Sequence, residues 1–245
     1  MKLELNHKVH VLSKKEELDT VRVAGKIVVV LDILFATTTM IAALGHGATE
    51  VMPVLDENAA RDCCKDFSDG SYVLSGELMA ETIAGFAHPA PLALIEHGVR
   101  GKTLIYCTTN GTVAMSRAAG AARVYCGALL NVGRLTEHIA AEHPRETVLL
   151  VCSGSANNFN LEDFCGAGAF VARFAARLGE SADFSDAARA ALGFYRQARL
   201  PQALLECRVG RLMQRRGLAR EVEFAAKEDA LPVVPVLREG RLRLL

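Results

Sequence analysis

Short unbroken runs of Val, Ile and Leu recur along this chain with little polar alternation, as in Ile27-Val-Val-Val-Leu31 and Thr147-Val-Leu-Leu-Val-Cys152. A strand with one wet face alternates apolar and polar residues, so such runs describe strands covered on both faces. Between them lie stretches with helical spacing. The pattern predicts strands over Val28–Asp32, Glu50–Val54, Ser71–Leu74, Thr103–Cys107, Arg123–Cys126 and Thr147–Cys152. Helices are predicted over Thr37–Gly45, Asp56–Lys65, Pro91–His97, Gly111–Ala119, from Asn131 to Glu142, and over Leu161–Leu178, with Asp56 and Asn131 as N-caps. Alternating strands and helices imply an α/β protein, a three-layer α/β/α sandwich with a largely parallel or mixed sheet.

One domain is expected over residues 1–245, with a core over about 27–180. Residues 181–245 read as extra helices plus edge strands near Ala219–Phe224, Pro232–Val236 and Arg241–Leu244.

Charge excludes some functions. Lys plus Arg and Asp plus Glu both number 28, so no whole-chain basic field for nucleic acid exists. Arg208, Arg211, Arg215, Arg216 and Arg220 form a local basic stretch, but Glu206, Glu221 and Glu223 bracket it, and it reads as a solvated helix face. No apolar run reaches the ~18 residues of a membrane span. Met1–Lys8 lacks the plan of a secretion signal, and the seven cysteines follow no disulfide spacing, so a cytoplasmic protein with reduced thiols is expected.

In open α/β sheets, ligands gather beyond the carboxyl ends of strands. Four such ends carry polar residues here: Asp32 with Thr37, Thr38 and Thr39; Gly76-Glu77; Thr108, Thr109, Asn110, Gly111 and Thr112; and Ser153–Asn158 with Glu162-Asp163 beyond. Asp32, Glu77 and Asp163 would suit a hard cation such as Mg²⁺, and the two threonine clusters would hold an anion through hydroxyls and backbone N–H groups. Each element also has an ordinary structural reading as a cap or turn; their coincidence at strand ends points to a site. The histidines are scattered, with His88 alone near the Glu77 loop. Cys165, one turn into a helix, reads as a packing residue before a nucleophile, because two acids stand beside it.

At these residues the chain resembles the 2-phosphosulfolactate phosphatase family, the ComB-like proteins of coenzyme M biosynthesis. The likeness runs through Leu31-Asp-Ile-Leu-Phe-Ala-Thr-Thr-Thr-Met40, Gly76-Glu77, Gly85-Phe86, Thr108-Thr-Asn-Gly-Thr112 and Leu161-Glu-Asp-Phe-Cys-Gly-Ala-Gly168. It implies a three-layer α/β/α fold and Mg²⁺-dependent hydrolysis of a phosphate ester on a small sulfo- or carboxy-hydroxy acid. Asp32, Glu77 and Asp163 would then position metal or attacking water, and Thr37–Thr39 with Thr108–Thr112 would hold the phosphate. The partner is a small anionic substrate, with a homo-oligomer left open. Where the family usually carries arginines, this chain has Phe35 and Leu78. Losing planar bidentate anion partners leaves an alternative, a small-ligand-binding or regulatory protein without phosphatase activity.

Overall fold

A computed structural model of the chain describes residues 8–179 and 182–245; the Met1–Lys8 segment read above for signal character lies almost wholly outside the described residues. In chain order the first half runs β1 (Lys8–Leu12), β2 (Ile27–Leu31), α1 (Ala36–Gly45), β3 (Glu50–Val54), α2 (Glu57–Cys63), β4 (Tyr72–Leu78), β5 (Glu81–Thr82), α3 (Pro91–His97), β6 (Thr103–Cys107) and α4 (Gly111–Arg117). The second half runs β7 (Arg123–Gly127), α5 (Val132–Glu142), β8 (Val148–Cys152), α6 (Leu161–Leu178), β9 (Asp183–Phe184), α7 (Asp186–Gln197), α8 (Gln202–Glu206), α9 (Arg208–Arg215), α10 (Ala219–Ala225), β10 (Pro235–Arg238) and β11 (Arg241–Leu244).

The strands form one mixed sheet in the order β5-β4-β6-β3-β11-β10-β7-β2-β8-β1-β9. Two blocks are parallel within themselves, β4-β6-β3 and β7-β2-β8-β1-β9. The apolar runs of β2, β6 and β8 are buried at every residue, as their lack of alternation requires. Helices α5, α6 and α7 pack together and cover β1, β2 and β8; α1, α3 and α4 form the second group, reaching β2, β3 and β7. The fold is the α/β sandwich with a mixed sheet that the sequence predicts.

The C-terminal strands correct the expectation of edge strands. The β10–β11 hairpin lies between β3 and β7, inside the sheet, and pairs antiparallel with both. Val236 and Leu242, at 1% and 0% exposure, carry its inward face. Ala219–Phe224 is likewise no strand but helix α10. The Glu-Val-Glu-Phe alternation resembles a strand, yet Val222 and Ala225 are buried at helical spacing, and the Glu221 carboxylate accepts the Leu92 and Ala93 N–H groups at the start of α3. Strands β1, β5 and β9 escaped the sequence pattern because they are short or carry polar residues.

Asp56 caps α2 as expected, accepting Ala59 N–H at 2.8 Å. Asn131 precedes α5, but its side chain accepts Ala128 N–H and donates to the Cys126 and Val233 carbonyls, tying the end of β7 to the C-terminal segment.

Three antiparallel pairings in succession reverse strand direction between the two parallel blocks. Laid flat, β6 and β2 would sit five spacings apart, ~24 Å. Yet the loops that follow them touch. Gly111, after β6, lies against Ala36 and Asp32, after β2. Helix α1 packs against both β3 and β7, the strands that flank the hairpin, and is buried from Ala36 to Leu44.

Candidate active site

A cavity of about 780 Å³ opens where the loops after β2, β4 and β6 meet. Asp32, Glu77, Thr108, Thr109 and Asn110 line it, as the strand-end rule predicts, together with Ser155, Ala156 and Asn157 of the loop after β8; Thr37, Thr38, Thr39, Gly111, Thr112 and Asp163 are not among the lining residues.

Asp32 leaves β2 and is 8% exposed. Its main chain is fixed by Thr37, whose hydroxyl accepts Asp32 N–H at 2.8 Å and donates to the Asp32 carbonyl at 3.0 Å. Oδ1 faces Ala36 N–H at 3.4 Å. Burial, reinforced by the negative charges of Glu77 and Glu162 and opposed by Ala36 N–H and Lys15, pushes the Asp32 carboxyl up to about 7. Glu77, at the end of β4, accepts Thr109 N–H and the Thr109 hydroxyl on Oε1, both at 2.8 Å, and Ala80 N–H on Oε2 at 2.6 Å. It thus joins the β4 and β6 loops.

Gly111 opens α4 hard against the β2 loop. A Cβ there would fall 2.5 Å from the Ala36 Cβ and 2.9 Å from Asp32 Oδ2. The Asn-Gly pair is therefore a close approach of backbone to carboxylate, not merely a turn.

Asp163 does not reach the cavity. It is 0% exposed and accepts Ile33 N–H at 2.9 Å and Gly154 N–H at 3.0 Å. Burial and the nearby charges of Asp32 and Glu162 hold its carboxyl well above the usual range. Asp163 braces the loops after β2 and β8 against α6. Thr37, Thr38 and Thr39 are also fully buried, and their hydroxyls donate to the carbonyls of Asp32, Ile33 and Pro89. The expected hydroxyl patch is instead a clamp on the backbone that carries Asp32. Thr112 behaves alike, donating to the Thr108 carbonyl at 2.8 Å.

Four further lining residues are not among the expected site residues: Lys15 carries no signal in the sequence, Arg208 and Arg216 read as a solvated helix face, and His88 stands out only as lying near the Glu77 loop. Lys15, 6% exposed, donates to Asn110 Oδ1 and the Ser153 carbonyl, each at 3.0 Å. Arg208 and Arg216 enter from α9 and its C-terminal end. Arg208 donates to Ser155 and to Asn160 Oδ1; Arg216 donates to the Ala80 carbonyl and Glu81. The basic stretch is thus divided, with two of its arginines turned into the cavity. Gly210 permits the tight α8–α9 turn that aims them, since a Cβ there would strike the Leu204 carbonyl at 1.8 Å. His88 is the fourth. Its Nδ1 accepts Ala90 N–H at 3.1 Å, which leaves the ring proton of the neutral imidazole on Nε2. Of the two positions where arginines were expected, Phe35 lines the cavity, whereas Leu78 stands 60% exposed outside it.

Among the described residues no group of three or more His, Cys, Asp or Glu side chains forms a ready metal cage. A cation held by one or two carboxylates with waters completing its shell is a different matter. Asp32 and Glu77 border one cavity as oxygen donors, and their mutual repulsion in a buried setting is what a divalent cation relieves. The donor set fits Mg²⁺.

All seven cysteines are free. Cys165 is 1% exposed and burial pushes its thiol up to about 12, so it packs and does not attack. No helix among the described residues is long and apolar enough to cross a membrane.

Residues 12–240 match a family model described as 2-phosphosulpholactate phosphatase. Curated relatives include a protein of Symbiobacterium thermophilum, 37% identical over 91% of this chain and 95% of its own length. A protein of Carboxydothermus hydrogenoformans is 34% identical over 96% of each chain. One of Thermotoga maritima is 31% identical over 86% of this chain and 89% of its own. Each is named a probable 2-phosphosulfolactate phosphatase.

Proposed function

The chain belongs to the 2-phosphosulpholactate phosphatase family, and on that premise we propose that it is a Mg²⁺-dependent phosphatase acting on the phosphate ester of a small hydroxy acid. The observation that carries this reading is the meeting of Asp32 and Glu77, from opposite blocks of the sheet, in a cavity that also holds Lys15 and Arg208. Two carboxylates suit a cation, and two basic side chains suit the anionic groups of the ester.

Asp32 and Glu77 would hold the ion. When bound, Mg²⁺ supplies polarisation of a phosphoryl oxygen and a lowered pKa for water. Asp32 orients the attacking water and accepts its proton as the new P–O bond forms. The bond from phosphorus to the hydroxy-acid oxygen breaks, the neutral His88 can hydrogen-bond to the departing oxygen through Nε2–H, and solvent water supplies the proton that oxygen takes up. Lys15 and Arg208 hold anionic groups in register; the Lys15 ammonium is steadied by Asn110 and Ser153, so little reorganisation attends binding. Asp163 and Thr37 position Asp32 through the backbone and touch neither water nor ester.

The test is hydrolysis by the purified protein, with Mg²⁺, of 2-phosphosulfolactate and other phosphorylated hydroxy acids. Turnover abolished by Asp32→Asn supports the reading. A folded protein that hydrolyses none of these esters sinks it, and leaves the binding-protein alternative, which the apolar lining around Phe35 favours.

A further inference from the structure

The polar groups used above occupy only part of the cavity. Beside further polar residues such as Glu81, Asn157 and Arg216, its wall includes a set of apolar side chains, Leu34, Phe35, Val209, Leu212, Met213 and Leu218. These six are not scattered; they belong to or pack against one continuous apolar cluster, the main core of the molecule, which at this point faces the cavity. Two come from the loop that carries Asp32, and four from the α9–α10 region that carries Arg208.

Size sharpens the point. A three-carbon acid bearing phosphate and a second anionic group has about fourteen non-hydrogen atoms. Allowing each the ~30 Å³ share of a water molecule, it fills at most roughly 420 Å³ of the 780 Å³. Apolar atoms make up the larger share of the wall around the whole cavity. Water against the six apolar side chains has few hydrogen-bond partners, so an apolar group would displace it favourably.

We infer that the preferred substrate is a phosphorylated hydroxy acid bearing an apolar side group, which lies against Phe35, Leu212 and Met213 while the anionic end meets Lys15 and Arg208. The inference rests on the phosphatase reading. It concerns selectivity within that reaction, and adds no chemical step.

The experiment compares kcat/KM for 2-phospholactate with that for its isobutyl and benzyl analogues, 2-phospho-4-methylpentanoate and 2-phospho-3-phenyllactate, all with Mg²⁺. At least a tenfold preference for an analogue is expected, since single methylenes in an apolar pocket are worth about 10- to 200-fold. Leu212→Trp, which fills the apolar part, should lower that preference about tenfold. Should this variant fail to fold by circular dichroism, Leu212→Asp, which makes the wall polar without added bulk, is held to the same outcome. Turnover of 2-phospholactate or of 2-phosphosulfolactate equal to or faster than that of both apolar analogues overturns the inference and leaves the phosphatase reading intact. Hydrolysis of none of the three, nor of 2-phosphosulfolactate, overturns both.

Discussion

Gly111 presses its Cα against the Asp32 carboxylate so closely that even a methyl group would lie 2.9 Å from Oδ2. The contact joins the loop after β6 to the loop after β2 and fixes where the carboxylate points.

Gly111→Ala should therefore displace Asp32 without dismantling the core. Overpacking of this kind costs about 1–3 kcal/mol. The expected result is a folded protein with a modestly lower Tm and kcat reduced by roughly 100-fold, as small misplacements of reacting groups bring about. Circular dichroism with steady-state kinetics checks it; unchanged kcat would show that the contact does not set the geometry.

Asp32 gives a pH signature. Its carboxyl in the folded protein, at about 7, lies above the ordinary 3.8, so folding disfavours its ionised form. In Mg²⁺-free buffer the resulting loss of stability is absent below about pH 4, grows between about pH 4 and 7, and is constant above. Asp32→Asn should raise Tm at pH 8, by an amount corresponding to at most about 4 kcal/mol, and leave it unchanged at pH 4. Melting curves across that range are the check. The same variant should lose turnover.

Metal removal separates fold from activity. With EDTA the protein should retain its circular dichroism spectrum and lose hydrolysis, which Mg²⁺ restores. Mg²⁺ at 100 times its Kd should stabilise by about 2.7 kcal/mol. In Glu77→Gln that stabilisation should shrink, because one of the two carboxylates at the cavity is gone. Equal Mg²⁺ stabilisation in the variant would remove Glu77 from the metal site.

Arg208→Ala should raise KM roughly 10- to 100-fold, since a charge-assisted contact contributes about 1.5–3 kcal/mol. Lys at this position should recover part of the loss, keeping charge without the planar fork. Cys165→Ser, by contrast, should leave kinetics unaltered, the thiol being 1% exposed and far from ionisation.

Asp163→Ala tests the brace. It strands the Ile33 and Gly154 N–H groups in a dry setting, at about 1–3 kcal/mol each. A large fall in Tm, with Mg²⁺ stabilisation preserved in the protein that remains folded, is expected from thermal melts. Abolished Mg²⁺ binding at full stability would return Asp163 to the metal.

Much of the α/β plan was legible because apolar runs such as Ile27–Leu31 and Thr103–Cys107 have one physical explanation, burial on both faces. That Asp32, Glu77 and Thr109 border the cavity was legible for a related reason, since strand ends are where clefts open in such sheets. What escaped was whatever depended on tertiary direction. Nothing local distinguishes Arg208 and Arg216, which line the cavity, from Arg215, a neighbour that does not. Lys15 precedes any regular run, and only its distant partners Asn110 and Ser153 reveal it. The threonines misled because a hydroxyl at a helix start can face a ligand or its own backbone with equal ease, and Thr37–Thr39 face the backbone. The β10–β11 hairpin looked like an edge because sequence order says little about sheet order.

That hairpin also sets a timetable. The blocks that supply Asp32 and Glu77 leave the ribosome long before residues 235–244, which wedge between them and connect them. Until the wedge arrives, each block exposes an unpaired edge at β3 and at β7, the two places where a nascent chain would pair with the wrong neighbour. The pocket is thus among the last things to form during synthesis. A chaperone that shields those edges would gain most from recognising the protein before its final hairpin emerges.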